Sequence, residues 1–92
     1  MVHDVPRGDL RRLWLTLGAL AARGGKATLL ELVADTGMPK PTVSDMLVKL
    51  VAGQVVDVAV EKEGALYRVH DWGRVVSPSG IQQWLKDYQQ KI

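Results

Sequence analysis

The segment Lys40-Pro41-Thr42-Val43-Ser44-Asp45, with Lys49 four residues further on, gathers two ammonium groups, two hydroxyls and a carboxylate into ten residues. Such a set makes hydrogen bonds and ion pairs. Lys40 and the hydroxyls of Thr42 and Ser44 stand where a helix would begin, and free N–H groups and the helix dipole favour an anion there. Asp45 accepts and Lys49 donates, and their spacing brings both to one face of a helix. Bond-making chemistry has no comparable constellation. His70 and Asp71 are neighbours whose side chains diverge on a strand, His3 lies far from them in the chain, and no third ligand stands at helical spacing. No Ser sits in a nucleophile elbow, and neither Gly24-Gly25 nor Gly37 has the spacing of a phosphate loop. Cysteine is absent. The expectation is a binding protein with no catalytic residue, metal or cofactor.

Elements must aim these groups. Leu10, Leu13, Trp14, Leu17, Leu20 and Ala21 recur on one stripe of a 3.6-residue period, which predicts a helix over residues 9–22. Asp9 suits its N-cap, and Gly24-Gly25 supplies a stop. Thr28 and Glu31 have the spacing of a capping box for a second helix. Gly37 ends that helix, because it takes positive φ without steric cost. Met38-Pro39-Lys40-Pro41 then delays the next helix until Pro41, whose fixed φ suits a first turn. Val43, Met46, Leu47, Leu50 and Val51 trace the inner face of that helix, which ends near Gly53. A short helix, a Gly turn and a second helix thus occupy residues 28–52, the helix-turn-helix order. At about 100° per residue, Val43, Leu47 and Leu50 cluster on one side, with Pro41, Asp45, Lys49 and Ala52 opposite. Thr42 and Ser44 flank that outer face.

Beyond Gly53 the period falls to two. Val56, Val58 and Val60, then Tyr67 and Val69, predict a hairpin over residues 55–70. Taking Glu63-Gly64 as a two-residue turn pairs Val60 with Tyr67 and Val58 with Val69. Lys62 then lies near the hairpin tip, and Asp71-Trp72-Gly73 closes the hairpin. Ile81, Trp84, Leu85 and Tyr88 predict a last helix over residues 78–90, with Ser77 and Ser79 as competing caps. The expected fold is α+β: three helices, a two-stranded wing and an added C-terminal helix, in a single domain over residues 1–92.

From Ala27 to Ser44 the chain resembles winged helix-turn-helix transcriptional regulators of the MarR and IclR type. Their turn typically reads Thr-Gly-Leu, a small residue or Pro, a basic residue, any residue, then Thr-Val-Ser, followed by Leu-x-x-Leu. Here Thr36-Gly37-Met38-Pro39-Lys40-Pro41-Thr42-Val43-Ser44 matches, then Leu47 and Leu50, then Val55-Val56 entering the wing. The resemblance covers about residues 10–70. It implies a double-stranded DNA partner, with the second helix of the motif in the major groove offering Lys40, Thr42, Ser44, Asp45 and Lys49. Lys40 and the hydroxyls suit phosphate; Asp45 suits the cytosine amino group and Lys49 suits guanine. Lys62 on the wing suits a minor groove or the DNA backbone. Two departures stand out. Asp45 falls where the family often has a basic residue, and Glu61 and Glu63 flank Lys62. They keep open a second reading, a winged-helix protein–protein interaction module without DNA readout.

Ninety-two residues suit one domain with a small core. The net charge of +2 is unevenly spread: residues 1–26 carry +3, residues 27–76 carry −2 and residues 77–92 carry +1. The basic end, including Arg7, Arg11 and Arg12, is compatible with an anionic partner. No apolar run approaches the roughly 18 residues of a membrane span. The first residues lack the basic-then-apolar order of a signal peptide. A cytoplasmic protein is therefore expected, with no membrane partner. With no room for a separate effector domain, a regulator of this size would act by operator occupancy, as a repressor. One winged domain reads few base pairs, so a homodimer is expected. Its interface would be the last helix (Ile81, Trp84, Leu85 and Tyr88), with the first helix as the other candidate.

Overall fold

The computed structural model describes residues 11–55 and 57–90; His3, Arg7, the expected cap Asp9, Leu10 and Val56 lie outside them. The first helix, α1 (Arg11–Ala22), carries the expected apolar stripe but is buried on more sides than that stripe requires. Leu15 through Ala21 are all buried. The helix is central, with α2 (Leu29–Thr36) and α3 (Lys40–Val51) against one side and α4 (Pro78–Gln90) against another. Thr16, the one buried polar residue among those described, donates its hydroxyl to the Arg12 carbonyl at 3.0 Å. Leu32, Val43, Leu47 and Leu50 complete the centre of the core. Each such side chain contributes roughly 1.5–3 kcal/mol on burial.

Thr28 caps α2 as its spacing predicts. Its hydroxyl accepts the Glu31 N–H at 3.2 Å, and the Glu31 carboxylate accepts the Thr28 N–H at 2.9 Å. Gly37 ends the helix in the left-handed region, φ 73°, and donates its N–H to the Val33 carbonyl. Met38 fills the turn from within and is buried, so the chain enters α3 at a set angle. Arg23 ties the end of α1 to α2: its guanidinium reaches Asp35 at 2.6 and 3.2 Å and Glu31 at 3.0 Å.

The sheet has three strands, not the expected two. A short strand β1 (Lys26–Thr28) pairs antiparallel with β3 (Leu66–Asp71), which also pairs with β2 (Ala59–Glu63), in the order β1-β3-β2. Three residues are too few to show a period of two, so Gly24-Gly25 reads only as a stop. In the structure Gly25, at φ 88°, redirects the chain, and its carbonyl accepts the Val69 N–H at 2.7 Å.

The hairpin register also differs from expectation. Val60 pairs with Val69 and Lys62 with Tyr67, so the turn is Gly64-Ala65 and not Glu63-Gly64. Gly64 has φ 62°. A hairpin turn wants its left-handed residue first, and Glu63 in that place would be strained. The shift is two residues, so Val60, Tyr67 and Val69 stay on the expected face. Val58 precedes β2; its N–H donates to the Val55 carbonyl in a turn, and its side chain is buried. The register jumps between Ala59 and Val60, leaving His70 as the bulged residue of β3.

Ser77 settles as the cap of α4, accepting the Gly80 N–H on its hydroxyl and the Ile81 N–H on its carbonyl. This helix packs against α1. Leu85 packs directly against Gly18, where an added Cβ would lie 3.1 Å from it. Gln82 donates to the Ala21 carbonyl at 3.1 Å, and Ile81 is buried. Trp84 and Tyr88 stack with ring centroids 5.2 Å apart.

Candidate nucleic-acid interface

The start of α3 governs what its polar groups can reach. Pro39 takes the cap position and Pro41 falls in the first turn. Pro41 has no N–H, and the Thr42 and Val43 N–H groups both donate to the Pro39 carbonyl at 3.0 and 3.1 Å. Little backbone donor capacity is left for an anion. An anion at this end would rely on the exposed Lys40 ammonium and on the half-buried hydroxyls of Thr42 and Ser44.

Val43, Leu47 and Leu50 are fully buried and hold the inner side of α3 against the core. The opposite side is open: Pro41, Asp45, Val48, Lys49 and Ala52 are all exposed. Of the residues expected to read DNA on this helix, Lys40, Asp45 and Lys49 are exposed, and Thr42 and Ser44 are half-buried on its flanks. Two of them are not independent. The Lys49 ammonium lies 3.3 Å from the Asp45 carboxylate, an i, i+4 ion pair. Each would have to leave the other to meet a base edge.

The sequence gives Arg12 no special standing among the basic residues of the N-terminal segment. In the structure Arg12, from α1, lines one hollow with Pro41, Thr42 and Asp45, so a second helix contributes a cation beside the α3 N-terminus. Arg23 is spent within the fold, on Asp35 and Glu31. Val48, not singled out by periodicity, lies 61% exposed on the outer side of α3. A helical wheel alone places it beside Ser44 and Asp45.

On the wing, Lys62 is exposed and its ammonium lies 5.8 Å from the Tyr67 ring centroid, a cation–π contact. Arg68 faces Glu63 at 3.4 Å, and His70 faces Glu61 at 4.0 Å. At the base of the wing, the Asp57 carboxylate accepts the Arg74 N–H at 2.9 Å. That hydrogen bond holds the carboxyl below its ordinary range. Glu31 is lowered as well, first by its hydrogen bond from the Thr28 N–H. Among the described residues no three His, Cys, Asp or Glu are placed to hold a metal, and no helix is long and apolar enough to cross a membrane.

A helix-turn-helix packed on α1, followed by a β-hairpin that pairs back to the chain before α2, is a winged helix-turn-helix. Residues 5–57 match the model of the IclR helix-turn-helix domain, and the chain belongs to that family. The family is one of DNA-binding domains of transcription regulators, not of enzymes. No curated protein and no solved structure matches the chain.

Proposed function

We propose that this chain reads duplex DNA in a sequence-specific manner by seating α3 in the major groove, and that it represses transcription by occupying an operator. The observation that carries the reading is the outer face of α3, solvent-open along its length and fixed from behind by Val43, Leu47 and Leu50. Lys40, with the hydroxyls of Thr42 and Ser44, would meet phosphate, and Asp45 and Lys49 would part to meet cytosine and guanine edges. Lys62 would touch the neighbouring backbone or minor groove from the wing. Residues 1–92 would act as one unit. A two-fold dimer would supply the second half-site, since a single winged domain buries a small interface. Leu85 is engaged with α1, and a second copy would seat on the groove lined by Trp14, Val75, Val76, Ile81 and Trp84.

One observation favours a second reading, a protein-binding winged helix. The Asp45–Lys49 and Glu63–Arg68 pairs neutralise cations that a DNA reader would direct at phosphate. Gel shift on random duplex at low salt separates the two. The DNA reading predicts a complex that dissociates steeply as salt rises, and a preferred sequence upon selection from a random pool. No shift at low salt would rule it out and leave the protein-binding reading.

A further inference from the structure

The line of α3 that points furthest from the core runs through Pro41, Asp45, Val48 and Ala52, at intervals of four, three and four residues. All four are exposed, three of the four are apolar, and the single charge is already paired with Lys49. Val48 is the largest apolar group on that line and is 61% exposed. A β-branched residue is a poor choice for an open helical site, where Ala or Lys would stabilise the helix better. Its compensation is stiffness: one χ1 rotamer dominates in a helix, so its two methyls are held in place before any partner arrives. On the floor of the major groove, the apolar feature that distinguishes one base pair from another is the C5-methyl of thymine.

We infer that Val48 is a specificity-determining residue, selecting thymine in the bound site by packing its methyls against the thymine C5-methyl. The inference rests on the major-groove reading of α3 and adds to it the kind of base that is read. The polar groups around Val48 fit this division of labour. Ser44, one turn before it, offers a hydroxyl that suits several base edges, and Lys40 stands at the phosphate end of the helix. Preference for one base at this position then comes from methyl contact. Val48→Ala leaves the fold intact, because the side chain is open to solvent and alanine is the better helix former.

The experiment uses the full chain and the duplex it selects from a random pool. Affinities of the natural chain and Val48→Ala are compared on that duplex, and on the same duplex with deoxyuridine in place of thymidine, which deletes only the methyls. The natural chain should lose about fourfold in affinity for each methyl it covers. Val48→Ala should bind the thymidine duplex correspondingly more weakly and be indifferent to the exchange. Equal binding of the natural chain to both duplexes overturns the inference, as does an undiminished methyl effect in Val48→Ala. In either case the salt-dependent DNA reading survives. Absence of any duplex binding removes that reading and the inference together.

Discussion

The Asp45–Lys49 pair sits mid-way along the outer face of α3, and its two charges act in opposite directions on a polyanion. Removing the acid frees the cation. Asp45→Ala should tighten binding to random duplex severalfold and steepen the salt dependence by about one unit of log–log slope, while lowering discrimination at any cytosine it reads. Lys40→Ala should flatten that slope by about one unit, and thermal stability should hold, because exposed substitutions change it by about 0.5 kcal/mol at most. Salt titrations by fluorescence anisotropy read all of these. Thr28 is a different kind of residue, bonded both ways with Glu31. Thr28→Ala should cost about 1 kcal/mol in denaturant melts, and a double-mutant cycle with Glu31→Ala should show coupling. Glu31 and Asp57 both titrate below their ordinary range when folded. Their contribution is therefore complete above the unfolded carboxylate pKa and is lost as pH falls from there through the folded one. Melting temperature should drop across that acid window, and Glu31→Gln together with Asp57→Asn should shallow the drop.

Among the elements, the four helices and the turn between α2 and α3 were legible in the sequence, because each is announced by several agreeing signals. For α2 these are the Thr28–Glu31 box and Gly37; for α3, the prolines and the Val43/Leu47/Leu50 stripe. Strand β1 was not legible, since its three residues acquire strand character only by pairing with β3. The wing register turned on which residue took positive φ, and adjacent Glu63 and Gly64 left two ways to count. The outer face of α3 was readable from helical spacing, but its internal ion pair and the approach of Arg12 depend on side-chain and tertiary placement. The same limit applies to α4, whose apolar stripe does not say whether it meets its own chain or another. In the structure Gly18 of α1 gives Leu85 room to approach, so that part of the stripe meets its own chain. Gly18→Leu should push α4 away and destabilise the chain by about 1–3 kcal/mol or more, as overpacking does, with a change in tryptophan fluorescence from Trp84. Truncation after Ser77 should lose cooperative unfolding, because it strips one side of α1. A well-folded truncated chain would show that α4 is dispensable to the core.

For the molecule as a whole, net charge is a modest +2, and on the wing Arg68 and His70 face Glu63 and Glu61. A second half-site is the remedy a small reader requires. Val75, 66% exposed beside Trp14 and Trp84, lies on the groove proposed for a second copy. Sedimentation at micromolar concentration should show a dimer that Val75→Glu dissociates without unfolding; a monomeric natural chain would remove the dimer from the account. The central claim is that α3 is the DNA-reading element, and its most direct measurement is duplex affinity across a range of salt for the natural chain and for Lys40→Ala/Lys49→Ala. The account predicts a natural chain that binds at low salt and weakens steeply, and a double variant with unchanged melting temperature that binds more weakly, with a slope shallower by about one unit from the loss of Lys40 and a relaxed preference for guanine from the loss of Lys49. Equal affinity and equal slope in the two proteins would contradict it.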